Sequence, residues 1–233
     1  MTNALEGPNS NILAKDPIQT TFKYSGQEVT LTTGLLATQA AADVLLSVGD
    51  TRIHAVINTA TSPEDIDFFP LLVQVLRRHY ASGTISGGHI KRENSRGSET
   101  EIIASRLIDR ALRPLFPDGY NDEVQVFIEI LSTDPSIDLE VPCFLAASAA
   151  LSIAPIPFDH VPAAIRMGYV DKQVIANPSA EELDKSALNL LLAGKPSGNQ
   201  NDIVMIEAQA HEISEELMLQ AFEKGLNAMS EAI

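Results

Sequence analysis

The sequence holds one cysteine in 233 residues, Cys143. That excludes an internal disulfide and a thiolate zinc site, and its apolar neighbours place it in the core. No run of 18 apolar residues occurs, so no helical membrane span is expected. The first thirty residues lack a charged start followed by an apolar stretch, which points away from a secretory signal and towards a cytoplasmic protein with no membrane partner. Basic residues are scarce: 16 Lys+Arg against 31 Asp+Glu give a net charge of −15. A body this acidic repels a polyphosphate backbone as a whole. What the chain does have, 45% apolar residues with 13 Gly and 13 Pro, suffices for a real core in one large domain.

The few cations are not spread evenly. Residues 77–113 hold eight of them (Arg77, Arg78, Lys91, Arg92, Arg96, Arg106, Arg110, Arg113) with four acids, so this sixth of the chain is +4 and the rest is −19. A local anion site on an acidic body is the first functional hint.

Residues 1–20 show no period and read as a loose, flexible arm, which leaves 21–233 as the folded domain. A β pattern begins at Phe22, with Glu28–Thr32 alternating. An Ala-rich apolar stretch leads to the Gly49-Asp50 turn, and Arg52–Thr59 and Phe69–Tyr80 read as strands. A glycine-containing loop from Gly83 ends at Ser98, where Ser98-x-x-Glu101 fits a capping box. The helix that follows carries an apolar stripe from Ile102 to Leu112, has Arg106, Arg110 and Arg113 on one face, and stops at Pro114. Val124–Leu131 reads as a strand with Val124, Val126, Ile128 and Ile130 on one face, and Val141–Ala154 as a buried Ala-rich helix with Pro142 in its first turn. Four short strands (Ala164–Val170, Gln173–Ala176, Leu188–Leu192, Asp202–Ala208) precede a terminal helix capped by Ser214. Strands interrupted by three helices give an α+β, mixed α/β two-layer domain.

Several chemistries find no motif. The five histidines (His54, His79, His89, His160, His211) stand in no arrangement with a nucleophile, and Gly-x-Ser-x-Gly is absent. The glycine loop has neither the Walker pattern nor Gly-x-Gly-x-x-Gly, and the pairs Asp65/Asp67 and Asp118/Glu123 are what 31 carboxylates produce by chance. No catalytic or metal-binding residue is assigned. The basic segment is the remaining site: Lys91, Arg92 and Arg96 on a glycine loop, then Arg106, Arg110 and Arg113 on the helix, as RNA or phosphate contacts. The alternative is that Arg106 pairs with Glu99 or Asp109, and Arg110 with Glu123, as ordinary salt bridges.

Residues 106–117, Arg-Leu-Ile-Asp-Arg-Ala-Leu-Arg-Pro-Leu-Phe-Pro, closely resemble the Arg-Leu-Ile-Asp-Arg-Pro-x-Arg-Pro-Leu-Phe-Pro of the first core of polynucleotide phosphorylases. Asp67-Phe68-Phe69-Pro70-Leu71, Tyr80-Ala81-Ser82-Gly83, Asn121-x-Glu123-Val124-Gln125-Val126, the Ala147–Ile153 run and Ile156-Pro157-Phe158 accompany it in the family's order, so that the resemblance spans about residues 22–230. It implies a ribonuclease PH-like fold (ribosomal protein S5 domain 2-like) and a family that degrades single-stranded RNA from its 3′ end with phosphate. It also implies a second ribonuclease-PH-like core as partner and a homotrimeric ring of two-core chains.

Departures from the pattern qualify what is carried over. Where the family reads Phe-Phe-Arg-Arg-Glu-Gly-Arg-Pro-Ser-Glu, this chain has His89-Ile90-Lys91-Arg92-Glu93-Asn94-Ser95-Arg96-Gly97-Ser98-Glu99. Both aromatics are gone and one residue is inserted. The three positive charges remain, so phosphate contact survives better than base stacking. The family's catalytic Asp-x-Asp-x-Lys, anchored on Ala193-Gly194, falls on Ala187, Asn189 and Leu191, none of which can hold a divalent metal or neutralise developing charge. The resemblance therefore implies a non-catalytic core that guides RNA and assembles the ring, with Mg²⁺ and inorganic phosphate bound by the second core and none by this one. The competing reading is a degenerate paralogue that serves only as a protein-interaction module.

Overall fold

The computed structural model describes residues 16–61, 67–85, 97–158, 160–197 and 200–232. Six strands, β1 (Ile18–Tyr24), β2 (Gln27–Thr33), β3 (Ala42–Val48), β4 (Thr51–Ala60), β5 (Leu71–Arg77) and β6 (Glu123–Ser132), form one sheet in the order β1-β2-β3-β4-β6-β5. All neighbours are antiparallel except β5 and β6, whose parallel pairing needs a crossover. Helix α1 (Glu99–Leu112) lies within that crossover and packs on β5. Alternation sets the faces: Val124, Val126, Ile128 and Ile130 of β6 are buried and the residues between them half-buried.

A second, antiparallel sheet of β7 (Ala163–Val170), β8 (Gln173–Ala176), β9 (Leu188–Ser197) and β10 (Gln200–Ala210) runs in the order β10-β9-β7-β8. Helix α2 (Glu140–Ile153) is apolar almost all round, which requires contact on more than one side. It packs on β3, β4 and β6 of the first sheet and on β7 of the second. The opposite face of β7 meets α4 (Glu215–Met229): a Cβ on Gly225 would stand 2.6 Å from Leu192 and 3.4 Å from Met167, so glycine is what allows this close approach. The layers run sheet, helix, sheet, helix, and the α+β pairing of a sheet with helices is made twice. The Tyr24 hydroxyl, buried, donates to the Ala164 carbonyl at 2.7 Å and joins the two sheets directly. Among the described residues no helix is long and apolar enough to cross a membrane.

Several elements differ from the sequence reading, among them β9 and β10, which run past the expected Leu188–Leu192 and Asp202–Ala208 to meet in one hairpin. β1 begins at Ile18, inside the expected arm, because this edge strand leaves most of its side chains in solvent (Ile18 is 73% exposed) and so lacks a buried stripe. The expected strand Phe69–Tyr80 contracts to β5, and Phe69 turns into an aromatic cluster with Phe116 and Tyr120 at centroid distances of 4.6 and 5.5 Å. A short helix α3 (Ala180–Asp184) was not expected, although Ser179 and Glu182 form a full capping box.

Candidate nucleic-acid interface

Ser98 caps α1 through the expected capping box, with its hydroxyl accepting from the Glu101 N–H and the Glu101 carboxylate accepting from the Ser98 N–H. Glu101 also accepts from the Arg77 N–H at the end of β5, so one side chain closes both a helix start and a strand edge. Burial pushes its carboxyl up, but hydrogen bonds from the Arg77 N–H, the Ser98 hydroxyl and the Ser98 N–H, with the Arg77 charge, hold it below the ordinary glutamate range. A depressed folded pKa means that this stabilisation is fully present above pH 4.5, the unperturbed value, and is lost as pH falls through the folded value. Glu101→Gln is expected to cost about 1–2 kcal/mol at pH 7. Urea unfolding at pH 7 and pH 3.5 checks it: the gap between the two proteins narrows at the lower pH.

Lys91, Arg92 and Arg96 lie outside the described residues. The structure places Arg106, Arg110 and Arg113 on one stretch of α1 and the turn after it, where they line a trough of about 820 Å³ between α1 and the β5 edge. They are not equivalent. Arg113 forks onto Asp109 (2.6 and 3.1 Å) and donates to the Phe69 and Leu71 carbonyls at 2.9 and 3.2 Å. Arg110 pairs with Glu207 at 2.9 Å and donates to the Ile206 carbonyl at 2.9 Å, which ties α1 to β10. Both are committed to packing: Asp109, one of the carboxylates the sequence offered to this face, takes Arg113, and Arg110 takes Glu207 in place of the suggested Glu123. Arg106 is exposed and has no ion pair or hydrogen bond to a described residue.

A second polar cluster was not anticipated. Arg166 of β7 is 6% exposed and gathers three side-chain oxygens around its guanidinium, from Asp138, Glu140 and Asn189. Its Nε lies 3.2 Å from Asp138, its Nη2 donates to Glu140 at the start of α2, and its Nη1 donates to the Asn189 amide oxygen on β9 at 3.0 Å. Burial pushes the Glu140 carboxyl above the ordinary glutamate range against the pull of Arg166, and the Asp138 charge adds to the rise. The one sequence signal was a lone basic residue inside the apolar strand 163–170, the only cation between Arg113 and Lys172. Asn189 is the position that the family pattern gives to a catalytic aspartate. Its oxygen is occupied by a guanidinium, Ala187 offers no donor, and Leu191 is buried in the core. These residues do not fit a divalent cation, which needs a convergent set of oxygen anions rather than a resident arginine.

The comparisons with known proteins agree with this architecture. Residues 25–157 match domain 1 of the 3′ exoribonuclease family, RNase PH, and residues 160–228 match its domain 2. Among solved structures, rice (Oryza sativa) Rrp46 superposes with a TM-score of 0.69 at 19% identity, covering 88% of this chain and 90% of that one. A chain of the Archaeoglobus fulgidus exosome, in a structure described as having RNA bound to the active site, gives a TM-score of 0.65 at 19% identity, with 89% and 85% covered. At such identities the structural likeness speaks to fold.

Proposed function

This chain belongs to the RNase PH family of 3′ exoribonucleases, and from that premise we propose that it serves as the first, non-catalytic core of a polynucleotide-phosphorylase-type enzyme, which guides single-stranded RNA while a second core performs the phosphorolysis. The Arg106–Pro117 motif supports the finer assignment within the family. The observation that carries the non-catalytic part is the Arg166 cluster. Where metal-assisted phosphorolysis requires aspartates around a cation, this chain has Asn189 bonded to an arginine.

In this reading, Mg²⁺ and phosphate belong to the second core, and a trimeric ring of paired cores is the assembly. Lys91, Arg92 and Arg96 are the RNA contacts. They hold phosphates rather than bases, because His89 and Ile90 stand where the family's loop has its two phenylalanines. Titrating binding of poly(A) and poly(U) against salt tests this. The expected result is equal affinity for both and a log–log slope near −2, from three phosphates at about 0.7 each on single strands. No saturable binding at low salt would instead favour the protein-interaction reading.

A further inference from the structure

The trough between α1 and β5 has a chemistry of its own, apart from the loop cations. Its floor is aliphatic: Leu71, Leu72, Val73, Ile103 and Leu107, of which Leu72 and Ile103 are 46% and 47% exposed. No aromatic side chain lines it among the described residues, so it offers no stacking platform for a base. Three arginines face two carboxylates there, Asp109 and Glu207, both already paired. That leaves Arg106 as the uncommitted charge and a local net of +1. A polyphosphate, with a charge on every nucleotide, gains one contact in this trough and meets the repulsion of a −19 body beyond the basic segment. A ligand with an aliphatic face and a few carboxylates suits the trough better.

The shape of that ligand follows from the strand edge. β5 ends its sheet and exposes backbone groups, the usual template for an added strand. Side chains already close that edge: the Ser105 hydroxyl accepts from the Val75 N–H at 2.8 Å, Glu101 accepts from the Arg77 N–H, and Arg113 donates to the Phe69 and Leu71 carbonyls. Strand addition is blocked. A helix, which satisfies its own backbone and presents side chains at i, i+3 and i+4, needs only the apolar floor and the charge beside it.

We propose that the trough between α1 and β5 is a docking site for an acidic amphipathic helix of a protein partner, with aliphatic side chains on the Leu72 and Ile103 floor and a carboxylate on Arg106. This proposal uses none of Lys91, Arg92 and Arg96, so either reading can fail alone. The probe is a labelled 16-residue synthetic helix with leucines at three- and four-residue spacing and glutamates flanking them. Its counterpart carries lysine in place of glutamate, and a labelled oligo(U) serves as the competing ligand.

The native chain is expected to bind the acidic helix saturably and the lysine helix at least about tenfold more weakly. Arg106→Glu should lower affinity for the acidic helix about tenfold and raise it for the lysine helix; because this proposal reassigns Arg106 from the RNA contacts the sequence suggested to the helix, oligo(U) binding should not be lost. Arg106 is exposed and without a partner among the described residues, so this variant is expected to fold. Ile103→Asp should abolish helix binding with an unchanged thermal melt. The proposal is overturned by absence of helix binding up to about 1 mM, by helix binding indifferent to Arg106→Glu, or by loss of oligo(U) binding in that variant, which would make the trough a nucleic-acid site. Self-association in sedimentation that Arg106→Glu removes would make a second copy the occupant and equally overturn it.

Discussion

Arg166→Ala is expected to cost about 3–5 kcal/mol of folding free energy, the typical penalty for removing one member of a buried ionic cluster. The loss has three parts. Asp138 and Glu140, two partly buried carboxylates, lose their counter-charge; the Asn189 amide oxygen loses its donor; and the tie between β7, β9 and the start of α2 is cut. In urea the midpoint should fall by at least about 1 M with an unchanged slope, since the exposed area of unfolding is the same. The pH response from Glu140 should also grow, with its sign unchanged. Glu140 already sits above its ordinary range from burial, and losing Arg166, which pulls it down, raises it further. An acid with a raised folded pKa destabilises the fold while ionised, above that pKa, and the penalty is relieved as pH falls towards the unfolded value of 4.5. The gap between variant and native chain should therefore narrow on mild acidification. An unchanged urea midpoint would mean that the cluster is incidental to the fold.

The second large effect concerns binding. Replacing Lys91, Arg92 and Arg96 together by alanine is expected to reduce the log–log salt slope for single-stranded RNA by roughly 2, at about 0.7 counterions per contact. Affinity for poly(A) and poly(U) should fall together, since phosphate contacts carry no sequence information. Arg110→Ala and Arg113→Ala should leave the slope alone, because both guanidiniums are held by Glu207, Asp109 and backbone carbonyls. Arg113→Ala should instead loosen the turn after α1, where that side chain also lies 5.7 Å from the centre of the Phe69 ring. If the triple variant keeps both slope and affinity, the loop is structural and the RNA-guiding role fails.

The fold was legible in the sequence wherever one local signal carried it. The alternation in β6, the Ser98 capping box and the apolar circumference of α2 are statements about neighbouring residues, and each is found as read. Elements that depend on distant partners were harder. β1 draws its stability from pairing with β2 and not from a buried stripe, so its first residues resembled an arm. The Arg166 cluster joins residues 138, 140, 166 and 189, which no sequence window contains. Charge counting treated Arg106, Arg110 and Arg113 alike, and the fold separates them, because Glu207 reaches α1 from a strand almost a hundred residues further on. The motif could place the chain in its family, and only the packing could show which of its arginines are already spent.

The central claim is that this core holds RNA and does no chemistry on it. The most direct measurement incubates the purified chain with poly(A), Mg²⁺ and inorganic phosphate, and follows nucleoside diphosphate release alongside binding of the same RNA. Retained binding with no diphosphate above the protein-free control is the predicted result, since Ala187, Asn189 and Leu191 supply neither metal ligands nor a lysine and Arg166 occupies the oxygen donors that remain. Diphosphate release that follows the chain through purification would contradict it.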